Sequence, residues 1–410
     1  MISVTEALSI VDEHIKPLPE TTVELSECLG YALAQDIVSN DDIPAGTNSA
    51  MDGYAVRAAD TEGACRDNPV RLKVIGEVPA GAPAKKVVEN GKAVRIMTGG
   101  IIPGGADAVV PVEDTELEDD CVDVFVPASQ GLNIRPAGED ISKGEKVLSR
   151  GDVIRPADMG ILASVGITKV PVFRRPKVAF LITGNELIAP DEPLSPGKVR
   201  NSNQYSLIGL LKECNLDWVN LGIGADSLEE IKRKISAGME ADVIITSGAV
   251  SVGKYDFVKD ALDELGMKRH FWKVAQRPGK PLLFGELPHS GGFPHGKPVF
   301  GLPGNPVSVM VMFLIYVKRA LLKMKGCREY EQPRIRATMA APYYKNPGLT
   351  HFVRGTYTFK DGSFSAVPLP KQGSGILRSM STANCIIVLD ENSKYIPEGA
   401  QVEIIFLHRF

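Results

Sequence analysis

Between residues 177 and 325 the chain alternates short apolar runs with amphipathic stretches: VAFLIT, a helical pattern near 202–212, WVNLGI, a helix opening on SLEE at 227–230, and ADVIITS. The alternation continues with a helical pattern over about 256–265, the runs FWKVA, PLLFGEL and PVFGL, and a long helix after Asn305. Apolar strands separated by helical periods predict an α/β layer of the doubly wound kind. The β-branched run Val243, Ile244 and Ile245 has no polar alternation, which suits a strand buried on both faces of a parallel sheet.

From residue 43 to about 146 the period shortens. LKVIGEVPAG, GKAVRIMTGG, ADAVVPVED and CVDVFVPA are strand patterns broken by Gly and Pro, so this stretch reads as a β-rich module. Helical patterns flank it, one carrying a Ser3/Glu6 capping box and one over Pro156–Ser164 closed by Gly166. Residues 1–42 and 147–172 are therefore expected to pack together as a helical linker domain with 43–146 inserted between them. Residues 173–328 form the α/β domain, and 329–410 form a small C-terminal β domain with turns at Lys360-Asp361-Gly362 and Pro397-Glu398-Gly399. The segment HSGGFPHGKP, 289–298, reads as a flexible loop.

Composition narrows the function. The 410 residues carry 46 Lys and Arg against 50 Asp and Glu, net −4, with no basic run, which argues against a nucleic-acid partner. MISVTEALSIVDEHI lacks the basic start and unbroken apolar core of a signal peptide, and the most apolar run, 307–317, is too short to cross a bilayer. Six cysteines, each isolated in sequence, read as reduced and mostly buried thiols of a cytoplasmic protein. The six histidines show no metal-ligand spacing, and neither a GxSxG elbow nor a paired Cys and His suggests a covalent nucleophile.

What remains is chemistry of positioning, carried by loops. In ADVIITSGAVSVGKYD the strand runs into a Gly/Ser loop at the sheet edge where such folds hold ligands. Gly248 and Gly253 let backbone N–H groups approach an anion, Ser247 and Ser251 add hydroxyls, and Asp256 could hold a divalent cation; an ordinary strand-to-helix turn is the alternative. TGNE puts Glu186 where a carboxylate binds a metal or ribose hydroxyl, or caps a helix. QRPGKP projects Arg277 and Lys280 from a turn flanked by Pro278 and Pro281, either toward a compact oxyanion or as plain surface charge. In LPGNPVS, Pro303 and Gly304 lead to Asn305 at an N-cap, with the helix's free N–H groups facing the loop. Asp52 in SAMDGYAV, Thr98 in RIMTGG, Glu139 and Asp140 in RPAGEDI, Arg354 in THFVRG and Ser379 in RSMSTAN are weaker candidates, each equally at home in a structural turn or strand.

Taken in order, SAMDGYAV, RIMTGG, the AGED loop, TGNEL, SGAVSVGKYD, RPGKP and LPGNPVS resemble the molybdopterin molybdenumtransferases, the family of bacterial MoeA and the gephyrin E domain. The resemblance spans essentially the whole chain. It implies a MogA-like α/β domain with an inserted β module, and a homodimer whose cleft lies between the α/β domain of one subunit and the β module of the other. It also implies Mg²⁺-dependent insertion of molybdate into adenylylated molybdopterin with release of AMP. Carried over by motif, Asp52, Thr98 and Asp140 line the cleft from the partner subunit, and Glu186 and Asp256 serve substrate and Mg²⁺. Arg277, Lys280, Arg354 and Ser379 hold molybdate, while Ser247, Gly248, Ser251, Gly253, Pro281, Pro303, Gly304 and Asn305 line the substrate site. The chain departs from the family pattern at Asn185 and Lys254, where acidic residues are usual, at Ala249 for Gly, and at Arg277 for Lys. Two readings compete with catalysis of this reaction. An adenylyltransferase of the same pathway would resemble 173–326 alone, leaving the β module and tail without purpose. A non-catalytic pterin-binding scaffold would be expected to carry a partner-docking extension.

Overall fold

The computed structural model describes residues 1–248, 257–288 and 296–407. Its first helix, Val4–His14, starts where the Ser3 hydroxyl accepts the Glu6 N–H at 3.1 Å. The apolar stripe Val4, Ala7 and Val11, continued by Ile15 and Leu18, is buried with Phe271, Phe284 and Tyr316 of the α/β core. This departs from the expected grouping of 1–42 with 147–172, because a stripe at i, i+3 and i+7 finds its larger apolar partner on the α/β sheet. From Glu20 onward the chain does join the later segment. Glu20–Glu24 pairs antiparallel with Lys169–Phe173, and Cys28, Leu33 and Ile37 share a core with Ile154 and Leu162.

The β module is a six-stranded sheet in the order Ala108–Pro111, Gly53–Val56, Lys92–Ile96, Val70–Val78, Cys121–Val124, Thr115–Glu118. Alternation along Gly53–Val56 sends Tyr54 and Val56 into one apolar cluster and Ala55 into another on the opposite face. Gly53 is required there, since a Cβ would run into the backbone of Val110 on the neighbouring strand.

In the α/β unit the strand order is Trp218–Gly224, Val178–Thr183, Val243–Ser247, Lys297–Leu302, Leu283–Leu287, Lys268–Trp272. The first four run parallel, as the helical crossovers predict. Leu283–Leu287 runs antiparallel to both of its neighbours, since the nine residues between Leu287 and Lys297 are fewer than a parallel crossover needs. After Asn305 the helix Pro306–Met312 continues through a π-helical turn, Phe313–Val317, into Lys318–Met324, with nearly every residue up to Val317 buried.

The tail closes on itself. Thr350–Lys360 pairs with Ser363–Pro368 and with Cys385–Leu389, and Ile335–Met339 and Gln401–Phe406 complete the ring. Its hairpin turns on Asp361 and Gly362 at φ 51° and 76°, the left-handed pair that an Asp-Gly loop supplies. This barrel also accepts the short strand Gln276–Arg277, parallel to Thr350 and His351, which ties the cationic turn to the tail. No helix among the described residues is long and apolar enough to cross a membrane. All six cysteines are free thiols, four of them buried.

Candidate active site

Parallel register brings Ile182, Ser247 and Leu302 side by side at the carboxyl edge of the α/β sheet. Ser247 is buried there, accepting from Asn203 Nδ2 at 3.2 Å and donating to the Pro303 carbonyl at 3.3 Å. The other N–H of Asn203 reaches the Gly304 carbonyl at 2.8 Å. One amide thus fastens the loops after two strands to the helix Ser202–Glu213. Gly248 donates to Leu302 O at 3.2 Å and has φ +109°, a conformation closed to residues with a Cβ. A Cβ at Gly248 would also stand 2.6 Å from the Thr183 hydroxyl. Among the described residues the buried Thr183 Oγ1 and Asn203 Oδ1 have no hydrogen-bond partner. Buried polar atoms without partners are costly, which marks this loop mouth as a place built to meet something polar. Ser251, Gly253 and Asp256, with Ala249 and Lys254, lie outside the described residues.

The neighbouring strand delivers Gly184 at φ +147°, and a Cβ there would come within 2.6 Å of the Glu186 carboxylate, which folds back over it. Asn185 and Asp226 brace this loop: Asp226 N–H donates to Asn185 Oδ1 at 3.1 Å, and Asn185 N–H to Asp226 Oδ2 at 3.4 Å. Lys198 adds a bond to the Asn185 carbonyl at 2.8 Å. Carboxylate oxygens are the donors a hard divalent cation takes, so the Glu186 carboxylate over Gly184 has the chemistry to take Mg²⁺.

Arg277 and Lys280 are exposed and make no ion pair or side-chain hydrogen bond among the described residues. Their turn is nevertheless rigid. Gln276, fully buried, donates to the Gly279 carbonyl at 2.9 Å and accepts from the Tyr316 hydroxyl at 2.6 Å. The Val274 N–H reaches the Lys280 carbonyl at 2.9 Å, and Gly279 packs so closely on Met312 that a side chain would not fit. The turn thus carries two cations that no carboxylate among the described residues neutralises. Arg277 also lies near His351 on the tail, where burial first, then Lys345 and Arg277, hold the imidazole down at about 4.

Arg354 and Ser379 do not face that turn as exposed ligands. Arg354 is 1% exposed and donates from Nε to Ser379 Oγ at 3.2 Å and from Nη2 to the Gly373 and Lys371 carbonyls at 3.1 and 3.4 Å. Ser379 in turn donates to Ile376 O at 2.6 Å. The segment they secure places Ser374 O against the Val307 N–H at 3.1 Å. One donor at the start of the final helix is therefore already satisfied, and Asn305 occupies the N-cap without a side-chain cap bond.

In the β module, Asp52 Oδ1 accepts both the N–H and the hydroxyl of Thr98 at 2.7 Å. Those two bonds, helped weakly by Arg95, hold its carboxyl below the usual range. Ser49 exchanges backbone bonds with Gly99 and Gly100 and pairs with Ile134, so the SAMD, TGG and RPAGED loops share one end of the module. Asp140 is exposed, its N–H bonded to Ile43 O at 3.0 Å. Among the described residues no hydrogen bond or ion pair links 43–146 to 173–407, so the acidic and cationic groups form two separate constellations within one chain.

Sequence reasoning missed Asn203, Thr183, Gln276 and Asp226. A polar residue in the first turn of a helix or at a strand end carries no sign of what it fastens.

Three family profiles cover nearly all of the chain: the MoeA N-terminal region (domain I and II) over 2–166, a probable molybdopterin binding domain over 179–323, and the MoeA C-terminal region (domain IV) over 336–407. A molybdopterin molybdenumtransferase of Staphylococcus aureus (strain MRSA252) is 35% identical over 405 residues, 98% of this chain and 95% of the relative. The chain belongs to the molybdopterin molybdenumtransferase family. A second member of this transferase family, from Haemophilus influenzae, is 35% identical over 98% of both chains. A molybdopterin biosynthesis MoeA protein from Pyrococcus horikoshii OT3 has the same fold, with a TM-score of 0.82 at 35% identity over 99% of this chain and 100% of its own. As a MoeA-type protein the chain is an enzyme of molybdenum cofactor biosynthesis, and the family match from end to end leaves no part over for the single-domain adenylyltransferase alternative.

Proposed function

We propose that this enzyme inserts molybdate into adenylylated molybdopterin and releases AMP, using a cleft completed by the β module of a second copy in the cytoplasm. The observation that carries this reading is the pair of unpaired cations, Arg277 and Lys280, on a turn fixed by Gln276 and by the tail. A tetrahedral dianion such as molybdate suits two cations carried on one turn. Ser247, Gly248, Pro303, Gly304 and Asn305 line the rim assigned to the phosphates, and Ser251 and Gly253, which lie outside the described residues, are assigned to the same site by motif. Pro281 restricts the exit of the turn. Arg354 and Ser379 support it indirectly, holding 371–374 against the final helix rather than touching the oxyanion.

Glu186, with Asp256, would hold Mg²⁺, which when bound offsets negative charge on the phosphate oxygens. Everything else is done by this chain's own groups. Arg277 and Lys280 bind and orient the oxyanion, the loop N–H groups hold the phosphates, and Asp52, kept ionised by Thr98, presents charge with Asp140 from the other subunit. No protein nucleophile is required, so positioning supplies most of the acceleration. The separation of the two constellations within one chain supports a shared homodimeric site.

The reading is tested by incubating the protein with adenylylated molybdopterin, Mg²⁺ and molybdate and following AMP. Release that requires molybdate is the expected result. Equal release without molybdate overturns it.

A further inference from the structure

We propose that His14, His270 and Glu286 form a binding site for a divalent transition-metal ion of the zinc class, distinct from the catalytic cleft. The three come from separate elements: the last residue of the helix Val4–His14 and the two outermost antiparallel strands, Lys268–Trp272 and Leu283–Leu287. His14 Nδ1 lies 3.2 Å and His270 Nε2 2.9 Å from the same oxygen, Glu286 Oε2. One donor atom from each residue falls within 4.8 Å of the others, and this is the one such trio among the described residues. A tetrahedral ion with bonds of about 2.0–2.2 Å spaces its ligand atoms by roughly 3.3–3.5 Å, close to these separations.

Three features favour a metal over a plain hydrogen-bonded trio. The imidazole rings stack at 3.6 Å between centroids, and each presents a nitrogen to the same carboxylate oxygen. Glu286 is 9% exposed, and its second oxygen, Oε1, has no partner among the described residues. A carboxylate buried to that degree and left half-satisfied is costly unless a cation shares it. Finally, nitrogen and carboxylate ligands in a two-to-one ratio suit Zn²⁺ or Co²⁺ rather than Mg²⁺. Three protein ligands leave a fourth position for water, and His14, partly exposed, gives the ion a way in. The bound ion would staple the N-terminal helix to the edge of the α/β sheet. Sequence spacing could not show this, because the ligands lie at positions 14, 270 and 286.

The test uses the full-length protein stripped with chelator. Co²⁺ should titrate to one equivalent with visible absorption of the tetrahedral kind, and Zn²⁺ should displace it and raise the unfolding temperature. His14→Ala and Glu286→Gln should each weaken binding by at least roughly tenfold and remove the thermal shift. His14→Ala changes a partly exposed helix end, so its fold should be retained. Absence of saturable Co²⁺ binding overturns the proposal, as does wild-type affinity in both His14→Ala and Glu286→Gln. Neither readout involves molybdate or AMP, so the outcome is independent of the catalytic reading.

Discussion

Asp52 and Thr98 are joined twice, through the Thr98 N–H and its hydroxyl, both at 2.7 Å from one carboxylate oxygen. Thr98→Val removes one bond and keeps the shape. The Asp52 pKa, followed by NMR titration, should rise toward its ordinary value in this variant, and an unchanged pKa would show that the hydroxyl does not act on Asp52. Because the depressed pKa lies on a carboxylate, its contribution is present at neutral pH and disappears as pH falls through the folded-state value.

Asn203→Ala severs the bonds to Ser247 and Gly304 at once. We expect a loss of about 1–3 kcal/mol in denaturant unfolding together with reduced turnover, since two substrate loops lose their common anchor. Turnover and stability equal to wild type would remove Asn203 from the site's support.

His351 supplies a pH test. Its pKa, near 4 in the fold against an ordinary 6.5, means that the unfolded chain takes up a proton first as pH drops. Stability attributable to this group is therefore complete above the ordinary value and falls between about pH 6.5 and 4, by at most roughly 3 kcal/mol. His351→Gln should flatten the difference between unfolding curves at pH 7 and pH 5. Arg277→Met should move the His351 pKa upward, because a neighbouring cation is lost, and a static value would show that the Arg277 charge does not act on His351.

Arg354→Met removes the buried donor shared by the Ser379 hydroxyl and the Gly373 and Lys371 carbonyls. We expect about 2–4 kcal/mol of destabilisation and faster hydrogen exchange at Val307, whose N–H depends on Ser374. Arg354→Lys should restore charge but not the exchange protection, since an ammonium cannot span the three acceptors.

Much of this arrangement is visible in the sequence. The strand VIITS, the Asp-Gly hairpin and the Ser3 cap follow from local periodicity and turn chemistry, which need no tertiary information. The motif order identified the family. Contacts made over long separations were not legible: the helix Val4–His14 chose the α/β core, Gln276 found Tyr316, and Arg354 turned inward to carbonyls. An Arg in a strand pattern looks the same whether it faces an oxyanion or a buried loop. The strand Leu283–Leu287 likewise looks like a parallel strand until the short spacing to Lys297 is noticed.

The central claim, one cleft made from two chains, is tested most directly by mixing two variants. Asp52→Ala and Lys280→Ala homodimers should each be nearly inactive. Refolded together in equal amounts, they should recover about a quarter of wild-type AMP release, because half of the dimers then carry one intact site. No recovery above the separate homodimers, in mixtures shown to contain heterodimer, would contradict the shared site.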